Sequence, residues 1–195
     1  MRVVTEIVLF HHAQGLTTGT LAFADRLRAA GHVVHVPDLY EGRVFATLDE
    51  GVDFARSVGF DTILERGVSI VDELPRDVVY AGISLGVMPA QKLAQSRDGA
   101  RGALFISAAF PPAEFESDWP IEVPVQIHMM RDDEWVNEGD LEAARELASS
   151  VERASLHLYP GSGHLFIDNS LPDYDQQAAA LLTDRVLEFV GHLGG

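Results

Sequence analysis

Cysteine is absent from this 195-residue chain, which excludes a disulfide framework, a thiolate metal site and a cysteine nucleophile together. Positive charge is scarce: 14 Lys and Arg stand against 30 Asp and Glu, for a net charge of −16 at pH 7 and a pI near 4.7. A nucleic-acid partner requires a basic face that can release counterions, and so few cations do not supply one. The same field disfavours strongly anionic substrates. Long apolar runs are also missing. None approaches the ~20 residues of a membrane span, so no membrane partner is expected. The apolar start of the chain is interrupted by Glu6 and followed by no small-residue cleavage site. It reads as a buried strand, not a signal peptide, and a cytoplasmic protein is the expectation. Metal binding would rest on the eight histidines and the carboxylates, yet there is no H-E-x-x-H pattern. His11 and His12 are neighbours, which on a strand would face opposite sides. Neither a metal nor any other cofactor is expected. Nucleotide signatures are lacking as well: no G-x-G-x-x-G follows the first strand, and no G-x-x-x-x-G-K occurs.

What is present is an alternation of short β-branched runs with longer helical stretches. Strands are predicted at Val3–Phe10, His32–Val36, Asp77–Ala81, Ala103–Ile106, Val123–Met129 and Ala154–Leu158. Between them lie helical stretches at Thr17–Ala30, Thr47–Val58, Asp61–Leu74, Ser84–Ser96, Asn137–Ser149 and Tyr174–Leu193. Helical segments long enough for crossovers imply an α/β fold, a three-layer sandwich whose mostly parallel sheet of about six strands is covered by helices on both faces. With no repeat and no linker, the length suits one domain over residues 1–195. Ligands of such sheets sit beyond the carboxyl ends of the strands, so the residues that follow each strand carry the functional question.

After the third strand stands Gly82-Ile83-Ser84-Leu85-Gly86, a G-x-S-x-G string between an apolar strand and an apolar helix. That pattern is a nucleophile elbow: a sharp turn exposes the hydroxyl above the sheet, and the glycines sit where side chains would clash. A serine hydroxyl needs a base and an orienting carboxylate to become nucleophilic, and the fold orders them Ser, Asp or Glu, then His. Beyond the last strand, Tyr159-Pro160-Gly161-Ser162-Gly163-His164 delivers His164 on a glycine turn, whereas His157 lies within the strand. Beyond the fifth strand Asp132, Asp133 and Glu134 compete for the carboxylate. An oxyanion hole would take the N–H of Leu85 and a second N–H from the His11–Thr17 loop, with Ala13 the choice and Thr17 an N-cap.

These loops together resemble the dienelactone hydrolase family of α/β hydrolases over almost the whole chain. The resemblance is carried by Gly15-Leu16-Thr17, by Gly31-His32 followed by Val36-Pro37-Asp38-Leu39-Tyr40-Glu41-Gly42, by the string around Ser84, by Asp133 three residues before Val136, and by Tyr159-Pro160-Gly161-Ser162-Gly163-His164-Leu165-Phe166 with Tyr174-Asp175 downstream. It implies Asp133 as the acid. The departures are equally informative. The namesakes use a cysteine where Ser84 stands, and a glutamate controlling its ionisation where His12 stands; a serine needs no such control. An arginine that takes the substrate carboxylate is replaced by Asp168, which argues against carboxylated dienelactones. The first strand lies so near the start of the chain that the family's N-terminal hairpin is not expected.

The resulting expectation is a hydrolase of small uncharged esters or lactones, with Ser84, Asp133 and His164 as catalytic residues and Ala13 and Leu85 as oxyanion donors. A cleft lined by His12, Tyr40, Phe45, Phe110, Trp135 and Phe166 is expected to take the substrate. Acyl transfer or perhydrolysis on the same residues, and a non-catalytic binding protein of the same fold, are the alternatives. Monomer and homodimer both fit the sequence.

Overall fold

The computed structural model describes residues 4–136 and 138–193. Six strands, β1 (Glu6–Phe10), β2 (Val33–His35), β3 (Val79–Ile83), β4 (Gly102–Ile106), β5 (Val125–Met130) and β6 (Ala154–Tyr159), form one parallel sheet in the order β2-β1-β3-β4-β5-β6. Six α-helices cross between them or follow them: α1 (Thr18–Ala29), α2 (Leu48–Val58), α3 (Phe60–Ile70), α4 (Val87–Ser96), α5 (Glu138–Ser150) and α6 (Gln176–His192). The expected three-layer α/β arrangement is therefore found. The proposed first residue of the first strand, Val3, and the proposed start of the fifth helix, Asn137, lie outside the described residues.

Why the sheet is buried on both sides is visible along β1. Ile7 and Leu9 join the core beneath α1 and α6, with Phe23, Leu27, Leu182 and Val186. Val8 and Phe10 point the other way, into the core that holds Ile63, Val87, Ala90 and Leu147 of α3, α4 and α5. Period-two alternation thus becomes two apolar layers, as a doubly covered parallel sheet requires. Three helix starts carry side-chain caps, the expected one at Thr17 among them. Thr17 accepts from the Thr20 N–H to cap α1, Thr47 and Glu50 form a reciprocal box at α2, and Asp175 accepts from Gln177 and Ala178 at α6.

One boundary matters for the site. The third strand was expected to end at Ala81, but β3 stays in register with β4 through Ile83↔Ile106. Its last residue therefore abuts Ser84, and Ser84–Gly86 forms a short 3₁₀ turn before α4. Strand order reverses between β1 and β3: from β1 the chain runs to β2 on one side, and β3 lies on the other. That is the switch point where a parallel sheet leaves a crevice, with the loop after β1 facing the turn after β3.

Candidate active site

The turn at Ser84 is dictated by what its glycines exclude. A Cβ on Gly82 would lie 2.3 Å from the Gly86 carbonyl oxygen, and one on Gly86 would lie 2.4 Å from the carbonyl oxygen of Phe10. Both contacts are with backbone, so neither position has room for a side chain. The turn can then pack against the end of β1, and Ser84 is held at φ 50°, a conformation that costs a non-glycine residue about 1–3 kcal/mol and is kept only where its surroundings enforce it.

From this turn Ser84 Oγ meets His164 Nε2 at 2.7 Å, and His164 Nδ1 meets Asp133 Oδ2 at 2.7 Å. An ionised carboxylate only accepts, so Nδ1 carries the proton and Nε2 is left to accept the serine hydroxyl. The second carboxylate oxygen of Asp133 accepts the Trp135 N–H at 2.9 Å, which fixes the acid's orientation. Asp133 and His164 are buried, at 7% and 4% exposure, whereas Asp132 and Glu134 are exposed. Of the three competing acids, Asp133 is thus the one joined to the imidazole. The two loops are tied together by Asp132 N–H to Gly161 O at 3.0 Å and Arg131 N–H to Tyr159 O at 2.8 Å.

Ala13 and Leu85 both border the same cleft as Ser84 and His164. Leu85 is the second residue of the 3₁₀ turn, where an N–H has no partner within the turn. Among the described residues, no backbone hydrogen bond outside the helices and strands takes up the Ala13 N–H. The cleft has a volume of about 510 Å³. Its walls include Val52, Phe60, Met88, Ala108, Phe110 and Trp135; among the described residues that line it there is no Lys or Arg, and Asp140 is the one acid. Trp135, 44% exposed, lies over His164 with ring centroids 6.0 Å apart. An imidazole facing a hydroxyl above an apolar cleft can take up the proton of that hydroxyl as it attacks a bound electrophile.

Of the six expected lining residues, Phe110 and Trp135 border this cleft and four do not. Tyr40 and Phe166 are fully buried. Phe45 is half-buried and packs its ring on Tyr40 and Phe54. His12 is fully buried as well, and it hydrogen-bonds Asp168 Oδ2 at 2.8 Å instead of facing the cleft. These side chains follow strands, as the expectation required, but their loops carry the aromatic rings into the two apolar layers, Tyr40 and Phe45 with one and Phe166 with the other. In their place stand residues the sequence reading passed over. Met88 sits one helical turn beyond Ser84, a spacing that could have identified it. Ser107 and Ala108 follow β4 in the same loop as Phe110 and are small residues with no side-chain signal to mark them. Val52 and Phe60 come from the α2–α3 corner, and no local signal brings that corner over the cleft.

Ser107 lies at φ 64°, and its hydroxyl donates to the His164 carbonyl at 2.5 Å, so the end of β4 holds the backbone of the His164 loop. No buried side-chain polar atom among the described residues lacks a hydrogen-bond partner. Among the described residues, no group of three or more His, Asp or Glu side chains is placed to hold a metal ion, and no helix is long and apolar enough to cross a membrane.

Comparison with known proteins gives a consistent picture. The family model described as "Dienelactone hydrolase family" matches residues 3–194. No curated protein matches the chain. Among solved structures, a dienelactone hydrolase-like promiscuous phosphotriesterase from metagenomic libraries aligns with 17% identity and a TM-score of 0.74, covering 100% of this chain and 89% of its own. A cold-adapted esterase from an Arctic intertidal metagenomic library aligns with 19% identity and a TM-score of 0.62, covering 96% and 83%. The thioesterase domain from the curacin biosynthetic pathway aligns with 15% identity and a TM-score of 0.64, covering 94% and 91%. At these identities the likeness is one of fold.

Proposed function

The chain belongs to the dienelactone hydrolase family of α/β hydrolases, and from that premise we propose that it hydrolyses small uncharged carboxylic esters or lactones through Ser84, His164 and Asp133. The observation that carries the reading is the pair of 2.7 Å hydrogen bonds running from Ser84 through His164 to Asp133, with Ser84 and His164 lining a mostly apolar cleft.

In this reading Ser84 Oγ attacks the carbonyl carbon while its proton passes to His164 Nε2. Asp133 holds the imidazole in the Nδ1–H tautomer and balances the positive charge it acquires. The N–H groups of Leu85 and Ala13 donate to the oxyanion. Collapse of the tetrahedral adduct breaks the bond to the alcohol oxygen, which leaves with the proton from His164, and Ser84 remains acylated. Water then attacks the acyl-serine, giving its proton to His164. The second adduct expels Ser84 Oγ, which regains that proton, and the carboxylic acid departs. The walls support an uncharged substrate, since no Lys or Arg among the described residues lines the cleft to pair with a carboxylate.

The experiment is a panel of uncharged and carboxylated esters and lactones offered to the wild type and to Ser84→Ala. Hydrolysis of uncharged members by the wild type alone is expected. Equal turnover by the two proteins, or a preference for carboxylated members, would overturn the reading.

A further inference from the structure

The loop after β1 and the loop after His164 are joined by a buried pair that takes no part in the proton relay. His12 and Asp168, 156 residues apart, are both fully buried and meet at 2.8 Å. The Thr17 hydroxyl donates to the same carboxylate oxygen. The other oxygen accepts the Ser170 N–H at 2.9 Å and the Ser170 hydroxyl at 2.6 Å. On its far side, His12 Nδ1 accepts the Gln14 N–H at 3.2 Å, so Nε2 carries the proton given to Asp168. Burial pulls the His12 imidazole below its ordinary range, against the opposing hydrogen bond to Asp168. Burial alone would raise the Asp168 carboxyl, but the hydrogen bonds from His12, Ser170 and Thr17 outweigh it and hold the group at about 2. The contact is therefore a neutral imidazole donating to a carboxylate.

What this pair adjoins gives it meaning. Ala13 follows His12, so the His12 carbonyl and the Ala13 N–H belong to one planar peptide unit, and fixing one end directs the other. The carbonyl end is held twice, by His11 Nδ1–H at 2.7 Å and by the Gly15 N–H at 3.0 Å. His11 is itself oriented through Nε2, which accepts the Leu39 N–H at 2.9 Å. Asp168 in turn belongs to the loop of His164, and its own N–H is bonded to Leu165 O at 2.9 Å.

The geometry points to His12 and Asp168 as positioning residues: their hydrogen bond locks the peptide that carries the Ala13 N–H against the loop that carries His164, so that oxyanion donor and base keep a fixed separation. This inference rests on the hydrolase reading above. It also explains an exclusion in α1, where a Cβ on Gly19 would fall 1.6 Å from Asp168 Oδ1; the carboxylate occupies the space that any other residue would need.

Amide side chains separate this role from mere packing. His12→Gln can set an amide N–H where Nε2–H stands and retain donation to Asp168. His12→Asn reproduces only the Nδ1 acceptor and loses Asp168. Gly19→Ala leaves both partners chemically intact and displaces the carboxylate. With p-nitrophenyl butyrate, and folding checked by near-UV circular dichroism, His12→Asn and Gly19→Ala are expected to lose about 10- to 100-fold in kcat with KM little changed. His12→Gln is expected to recover most of the wild-type rate. Fluorophosphonate labelling of the wild type is run alongside. If the wild type labels at Ser84 while folded His12→Asn and Gly19→Ala keep their kcat, or if Gln and Asn at position 12 are equally impaired, the positioning role is refuted and the hydrolase reading survives. If the wild type does not label, the hydrolase reading fails and the positioning role falls with it.

Discussion

His128 offers a stability prediction whose size follows from its surroundings. It lies in β5, fully buried, accepting the Tyr159 hydroxyl at Nδ1 (2.7 Å) and donating from Nε2 to Gln126 Oε1 (2.9 Å). The His157 ring is stacked on it at 5.0 Å, and the Arg185 guanidinium covers Tyr159 at 5.2 Å. Burial, and then the positive charges of His157 and Arg185, hold its pKa well below the ordinary 6.5. In the folded protein the ring stays neutral, whereas in the unfolded chain it takes a proton as pH falls through 6.5. Below that pH the unfolded state binds more protons, so stability is complete above 6.5 and lost on acidification. While the folded ring remains neutral the loss is RT ln(1 + 10^(6.5−pH)), which is on the order of 1 kcal/mol at pH 5.5 and close to nothing at pH 7.5. Urea unfolding of the wild type and His128→Gln at both pH values isolates the term, since other acid-sensitive groups act equally in both proteins. His128→Gln is expected to be the less stable protein at pH 7.5, with the gap narrowing by about 1 kcal/mol at pH 5.5. An unchanged gap would refute the reasoning.

Replacing Ser84 or His164 by alanine is expected to lower kcat by about 10⁴- to 10⁶-fold without loss of fold, as read from steady-state kinetics and circular dichroism. Gly86→Ala places a Cβ 2.4 Å from backbone oxygen; it is expected to cost about 2–4 kcal/mol in denaturant unfolding, and a neutral result would contradict the close packing of the turn on β1. Phe110→Ala and Trp135→Ala are expected to raise KM for larger acyl groups by about tenfold, with acetate esters little affected; unchanged preferences across an acyl-length series would remove both from the cleft.

How much of this was legible in the sequence depended on whether the information was local. The alternation of strands and helices, the glycines around Ser84 and the cap at Thr17 are written within a few residues, and the structure reproduces them. His164 was reachable because the last strand ends in a glycine turn that allows little else. Asp133 was not separable from Asp132 and Glu134 by periodicity, because selecting it takes the fold of the loop; resemblance to a family supplied that choice. The cleft walls were read least well. Tyr40, Phe45 and Phe166 lie after strands as cleft residues would, but the direction in which a loop carries a ring is set by contacts far away in the chain, such as Phe45 against Phe54. The pairing of His12 with Asp168 is of the same kind. Each residue was noticed singly, and only the folded chain brings them within hydrogen-bonding distance.

The most direct test of the central claim is the intact mass of the protein after exposure to a small fluorophosphonate, with wild type and Ser84→Ala treated side by side. One adduct on the wild type and none on the variant is the result the account predicts, because a serine hydroxyl reacts in this way only when a base and oxyanion donors activate it. A folded wild type that takes no adduct, or a Ser84→Ala variant that takes one equally well, would contradict it.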